Sequence, residues 1–481
     1  MKALEWKPIS LVGSVFPTDY TLQFPGRPCP DFGPAAMFQT PHSAKESVPV
    51  MHGCCLAFSG GPAFFSPRRA TGRVLACLTV LAAAFTLPVC VAADGVAADG
   101  ATAAAPNAAA GFVAGDARPE GDGSAIRVPG GWMVAYEEMI PGTEVTFRMI
   151  PVSGGMLHMG SPTSEADRGD DEGPQFDVKI EPFWIGRCEV TWDEYKSYMA
   201  FCDLFKAIES AGLRAVTAAN EADAVTAPSN LYDPTTTFTN GENPKQPAVT
   251  MTQFAARQYT QWLSGLTSRF YRLPLESEWE YACRAGTTTP WYCGAEPGSL
   301  EAAAWFADTS DETTHPVGEK EPNAWGLYDM HGNAAEWVLD ELVDGGYARQ
   351  AALPQPVPEA VAAVWPIHLS PRVVRGGSYY DEAVQCRAAA RRGSEDLAWK
   401  DVDPNLPKSP WWYTEEPALG VGMRVVRPLT VPESAERHRW WNADVDSIRA
   451  DAADRLNQGR GARGLVDPKL PAEAKAAGII N

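Results

Sequence analysis

The stretch Asn323 to Trp337, NAWGLYDMHGNAAEW, constrains this chain more than any other. It shows neither the 3.6-residue period of an amphipathic helix nor the alternation of a half-buried strand. Four turn formers (Asn323, Gly326, Gly332 and Asn333), two tryptophans and two carboxylates, Asp329 and Glu336, share these fifteen residues. Gly326 and Gly332 permit backbone angles that other residues avoid. A chain bent this way, carrying two carboxylates, can offer the roughly six to eight oxygens that a hard cation takes. The stretch reads either as a tight irregular loop packed by its aromatics or as an ion cage around Asp329 and Glu336.

The rest of the composition suits a fold of loops. The 481 residues include 42 Gly, 41 Pro and 16 Trp, which points to loops held by aromatic packing and away from a helix bundle. A formal net charge of −20 argues against nucleic acid and anionic membrane surfaces as partners, since both require basic patches. Near the N-terminus, Arg68, Arg69 and Arg73 precede an apolar run from Val74 to Val91, and small residues follow it. Basic, apolar, small is the order of a signal peptide, so residues 1–93 read as an N-terminal extension with a signal. Export to the periplasm or the extracellular space is then expected; left uncleaved, the same run is long enough for one membrane span. Residues 94–125, rich in Ala, Gly and Asp, read as a low-complexity linker that cannot bury enough apolar surface to order itself.

The domain expected over 126–428 comes in blocks. Val128 to Ile150 reads as short strands, and Phe147 to Met159 as a hairpin around Gly154-Gly155. Gly160 to Pro174 carries five carboxylates and reads as a solvated acidic surface. A strand pair is expected over Gln175 to Thr191, then a helix opened by a capping box at Thr191 and Glu194. Residues 206–247 read as a loop insertion. A helix is expected from Thr252 to Leu266. Arg272 to Gly286 opens with a turn at Pro274, and on a helix Glu276 and Glu280 would share a face as capping and salt-bridging groups. Arg387 and Arg391, four apart, suit either a carboxylate or phosphate ligand or buried acids of the protein itself. Beyond Pro428, a helical segment followed by a flexible stretch of about 25 residues is expected over 429–481.

Taken in order, the blocks HMGSPTSEADRGDDEGPQFDVKIEPFWIGRCEVTWDEYKSYM, RLPLESEWEYACRAGTTTPWYCG, HPVGEKEPNAWGLYDMHGNAAEW, RVVRGGSYYDEAVQCRAAARR and VGMRVV resemble those of the formylglycine-generating, sulfatase-modifying-factor family. The resemblance covers about Ile150 to Arg427. It implies an α+β domain of modified C-type-lectin-like fold with little regular secondary structure. It also implies calcium. The family's loop runs Leu-Tyr-Asn-x-x-Gly-Asn-x-x-Glu-Trp, so side chains of Asp329 and Glu336 and main-chain carbonyls of Gly332 and Ala334 would bind the ion. Asp329 replaces the Asn and keeps an oxygen ligand.

Catalysis is where the chain departs from the family it resembles. Its oxidases carry two cysteines after Gly-Gly-Ser-Tyr, hold copper between them, and oxidise a sulfatase cysteine with oxygen. Here Asp381 stands at the first place and Cys386 at the second. One thiolate makes a poor two-coordinate copper(I) site, because copper(I) selects paired soft ligands. Five cysteines follow the apolar run (Cys188, Cys202, Cys283, Cys293 and Cys386), enough for two disulfides and one free thiol. Three readings follow. The first is a noncatalytic member that binds a peptide, such as a sulfatase segment, or a carbohydrate in the family groove, with Arg387, Arg391, Trp411 and Trp412 as candidate contacts. The second is an active oxidase using copper and Cys386. The third is another enzyme on the same scaffold, built on His331 or the two arginines.

Overall fold

The computed structural model describes residues 110–120, 123–231, 234–403 and 408–480. The apolar run at 74–91, its flanking arginines and most of the expected linker lie outside them. Among the described residues, no helix is long and apolar enough to cross a membrane.

A small sheet of Phe112–Ala114, Gly131–Met133 and Ile126–Val128 opens the described chain, so the end of the expected linker is ordered by pairing with Gly131–Met133. Strands β1 (Tyr136–Met139), β2 (Thr146–Val152), β3 (Gly155–Met159), β4 (Phe176–Ile180) and β5 (Phe183–Gly186) follow. β1, β2 and β5 lie side by side, antiparallel. β3 pairs with β4 in a separate sheet. Neither the hairpin expected at Gly154-Gly155 nor the pair expected over 175–191 forms, because both turns carry the chain between sheets. The glycines serve close approach instead. A Cβ on Gly154 would stand 2.8 Å from the Ile180 carbonyl, and one on Gly155 would stand 2.2 Å from the Tyr281 hydroxyl.

The helices start where the caps predict. Glu194 Oε1 accepts the Thr191 N–H at 3.1 Å and its hydroxyl at 2.9 Å, opening α1 (Trp192–Met199). α2 (Phe201–Ser210) continues into the expected loop insertion, burying Phe201, Leu204, Phe205 and Ile208 along one face. The insertion also holds strand β6 (Ala224–Ala227). Thr252 caps α3 (Gln253–Thr267), accepting the Ala255 N–H at 3.1 Å. This helix is buried on nearly every face and packs Tyr259 and Trp262 into an aromatic cluster with Tyr195 and Tyr198. α4 (Glu276–Arg284) follows.

A further sheet positions the stretch from 323 to 337. β7 (Ala335–Glu341) runs antiparallel to β8 (Arg372–Arg375) and parallel to β9 (Val421–Gly422). β10 (Val426–Pro428) returns to the first sheet beside β5. The Gly332 N–H donates to the Gly376 carbonyl at 2.8 Å, so the irregular loop backs directly onto the Gly376-Gly377 turn. This is the expected α+β, C-type-lectin-like class, with short strands and much irregular chain.

The tail differs from expectation. α5 (Ser434–Trp441) and α6 (Asp446–Asn457) are followed by strand β11 (Ala462–Leu465) and helix α7 (Leu470–Ala476). β11 pairs antiparallel along the whole of β6, and Leu470 and Ala474 are buried. Gly464 reads in the sequence as a sign of flexibility. Its actual reason is steric, since a Cβ there would meet the Phe205 ring at 2.1 Å.

Candidate functional site

The loop from 323 to 337 is held in an unusual backbone shape. Gly326, Asp329, Gly332 and Asn333 all have positive φ, at 81°, 55°, 81° and 58°. Asp and Asn tolerate this region better than most residues. A side chain at Gly332 would collide with the Trp305 carbonyl, 2.1 Å from its Cβ position. Asn333 fixes the turn by accepting the His315 N–H at 2.9 Å and donating to the His315 carbonyl at 3.2 Å.

Three buried carboxylates gather behind it: Glu189, Asp329 and Glu336, exposed by 2%, 1% and 0%. Arg424 lies against them. Its Nε donates to both Glu336 oxygens at 2.9 and 2.8 Å, and its Nη2 donates to Oε1 at 2.6 Å. The Trp279 indole N–H takes Oε2 at 2.7 Å. Asp329 Oδ2 accepts the Gly318 N–H at 2.7 Å. Asp329 Oδ1 and Glu189 Oε2, in contrast, are buried with no partner. Burial pushes Asp329 up to about 6. Burial, then the charge of Asp329, pushes Glu189 well above the usual carboxylate range. One guanidinium facing three buried carboxylates leaves negative charge that only a proton or a cation offsets.

The residues therefore fit a hard cation, with one departure from expectation. Asp329 presents an oxygen without a partner; Glu336 does not, because Arg424 and Trp279 occupy both of its oxygens. Glu189, which sequence reasoning missed, supplies the second free oxygen. Its only local signal was an acid between Cys188 and Val190, just after the apolar Phe183–Ile185. Among the described residues no three His, Cys, Asp or Glu side chains group as a metal site, so carbonyls such as those of Gly332 and Ala334 would have to complete the shell.

At the Gly-Gly-Ser-Tyr turn, Asp381 Oδ2 accepts the Ser378 N–H at 2.8 Å and its hydroxyl at 2.9 Å. Arg392 pairs with Oδ1. Cys386 is fully buried, its Sγ 2.5 Å from where a Cβ on Gly377 would lie. Burial pushes its thiol well above the ordinary range. His331 is equally committed. Its Nδ1 lies 2.7 Å from the Cys386 carbonyl, and Nε2 accepts the Tyr292 N–H at 3.1 Å. This network assigns the Nδ1–H tautomer. Burial pushes the His331 pKa down to about 3, keeping the ring neutral.

The expected substrate arginines are consumed internally. Arg387 binds Glu165 at 2.7 Å and Glu172 at 2.6 and 2.8 Å. Arg391 binds Glu276 at 2.6 and 2.9 Å. The acidic loop is thus not simply a solvated surface, since Glu165 and Glu172 turn inward to meet Arg387. Trp411 lies in the core, stacked on Phe254 with ring centroids 5.5 Å apart, whereas Trp412 lines a separate cavity. Among the described residues no disulfide forms. Cys188, Cys202, Cys283, Cys293 and Cys386 are all free; Cys283, for example, faces His331 at 3.7 Å.

Comparison with known proteins gives consistent likenesses. The profile of the sulfatase-modifying factor enzyme 1-like domain matches residues 137–401. The formylglycine-generating enzyme of Thermomonospora curvata is 27% identical over 281 residues, 52% of this chain and 88% of that one. That of Streptomyces coelicolor is 28% identical over 274 residues, 50% and 82% of the two chains. Serine/threonine-protein kinase pkn1 of Chlamydia pneumoniae is 33% identical over 148 residues, 31% of this chain. The match spans only 21% of that kinase. Among solved structures, PvdO from Pseudomonas aeruginosa is 27% identical with a TM-score of 0.42, covering 58% of this chain and 94% of its own.

Proposed function

This chain belongs to the sulfatase-modifying factor enzyme 1-like domain family, and from that premise we propose that it is a non-oxidase member. In this reading it is an exported domain that binds a peptide or carbohydrate partner. The carrying observation is the carboxylate of Asp381 at the first cysteine's place, locked by Ser378 and Arg392. Copper(I) prefers paired soft thiolates, and an oxygen ligand already engaged by a guanidinium supplies neither softness nor a vacancy. The thiol that remains, Cys386, is buried and raised in pKa, so it carries little of the thiolate that would bind metal or react. His331 is bonded at both ring nitrogens, and Arg387 and Arg391 already pair with carboxylates of the protein, which argues against a different enzyme built on them.

Calcium belongs to the same proposal. Asp329 and Glu189, with the Gly332 and Ala334 carbonyls, would hold it, while Glu336 anchors Arg424 behind them. A bound calcium ion would supply positive charge and rigidity to the loop that supports the Gly376-Gly377 turn.

The rival reading, an oxidase with Cys386 as its thiol, is favoured by one observation: Cys386 forms no disulfide. Mass spectrometry separates the two. A peptide with the family's Cys-x-Pro-x-Arg target, incubated in air with the full chain and copper(I), is expected to return unchanged. In the same preparation, removing calcium should lower the melting temperature. Conversion of the peptide cysteine to an aldehyde, abolished by Cys386→Ser, would establish the oxidase instead.

A further inference from the structure

A chamber of about 10 Å³ is lined by residues of α4, β7 and the short helix Ala348–Ala351. That is room for a single water, which needs about 10–15 Å³. Its polar wall is Glu276, Ser277, Asp340, Tyr347 and Gln350, each 4% exposed or less. Two atoms of this wall have no hydrogen-bond partner, the Ser277 hydroxyl and Gln350 Oε1. Buried polar atoms left bare are costly, so each calls for a partner inside the chamber.

The rest of the wall is already engaged. Glu276 Oε1 is taken by Arg391, Arg375 and the Tyr347 hydroxyl, and Oε2 by Arg391. The Gln350 amide nitrogen donates to the Ala362 carbonyl at 3.1 Å. Asp340 accepts the Glu276 N–H at 2.8 Å on one oxygen and the Val364 N–H at 2.7 Å on the other, which leaves each oxygen further acceptor capacity. Charge around the chamber is balanced. The carboxylates of Glu276, Glu280 and Asp340 face the guanidiniums of Arg284, Arg375 and Arg391. An ion added to a balanced buried set stands uncompensated, so the occupant is neutral.

We propose that this chamber binds one structural water, which accepts from the Ser277 hydroxyl and donates to Gln350 Oε1 and to Asp340. Three bonds is the usual number for a buried water. The water gives both orphaned atoms their partner. It also fastens the excursion between β7 and β8 to α4 a second time, beside the hydrogen bond from Tyr347 to Glu276. The site is independent of whatever partner the domain binds.

A crystal structure of the full chain, at a resolution that orders solvent, tests it. One density peak is expected within about 3.2 Å of Ser277 Oγ, Gln350 Oε1 and an Asp340 oxygen, and a rubidium soak should leave the chamber without anomalous signal. In urea denaturation, Ser277→Ala and Gln350→Met should be coupled, because either one releases the water. The double variant's unfolding constant should then rise about tenfold less than the product of the two single effects. A chamber without density, a Ser277 hydroxyl bonded directly to Gln350, an anomalous rubidium peak, or single effects that simply multiply overturns the proposal.

Discussion

Glu194 shows how one side chain links a cap to pH. The capping box was legible from Thr191 and Glu194 alone, three residues apart. Its burial was not, because neighbours such as Tyr259 come from a distant segment. Burial raises the Glu194 carboxyl to about 7, against the opposing bonds from Thr191. The folded pKa therefore lies above the unfolded one. The proton's contribution to stability is complete below about pH 4.5 and is lost as pH rises through about 7. Over that window the loss is on the order of 3 kcal/mol. Glu194→Gln keeps an oxygen for Thr191 and removes the titration. Thermal melts between pH 5 and 8 should show the variant's melting temperature falling less with rising pH than that of the native chain. Parallel curves would mean that Glu194 does not titrate in this range.

At the scale of elements, α4 is the clearest case of a half-legible structure. The spacing of Glu276 and Glu280 places both on one helical face, and that much was read from sequence. Their partner was not, because Arg375 lies about a hundred residues away on β8. There its Nη1 takes Glu276 at 3.1 Å and its Nη2 takes Glu280 at 2.6 Å. The same limit explains the missed crossovers at Gly154-Gly155, where local pattern gives a hairpin and the deciding neighbour is the Tyr281 hydroxyl. It also explains Glu165 and Glu172, whose acidic surroundings suggest solvent until Arg387 is in place. Cap positions and helix faces were local enough to read. Which sheet a strand joins, and which acid turns inward, depended on residues far along the chain. Arg375→Met tests the weight of one such contact. It removes one of two guanidiniums from each buried carboxylate, leaving Glu276 with Arg391 and Glu280 with Arg284, and the lost charged hydrogen bonds cost about 1.5–3 kcal/mol. Urea denaturation should show a lower midpoint. Adding Glu280→Gln to Arg375→Met should recover little of the loss, because Glu280 keeps Arg284 at 2.9 Å. A midpoint unchanged by Arg375→Met would mean that Arg391 and Arg284 hold the two carboxylates without it.

For the whole molecule, the question is whether the tail is an appendage or part of the fold. Asp444, between α5 and α6, answers through its contacts. Its Oδ1 and Oδ2 each accept from Arg372 at 2.8 Å, and Arg257 of α3 pairs with the same carboxylate. Arg257 also donates to the main-chain oxygens of Trp440 at 2.9 Å and Arg439 at 2.7 Å. One tail carboxylate thus bridges two buried guanidiniums, on α3 and on β8, and offsets the charge of one of them. Burial alone would raise the Asp444 carboxyl, but the two arginines outweigh it and hold it below the usual range. That stability is present above the unfolded pKa near 4 and is lost as pH falls through the depressed folded value. Asp444→Asn should therefore destabilise the chain by about 3–5 kcal/mol at neutral pH and narrow the gap to the native chain under acid. Ending the chain at Pro428 removes more: the carboxylate, the β11 edge on β6, and the buried side chains of Trp441 and Leu470. If the tail is part of the fold, both variants melt well below the full chain, the truncated one lower still. A truncated chain that melts within a few degrees of the full one would instead make the chain up to Pro428 self-sufficient and the tail a separate addition.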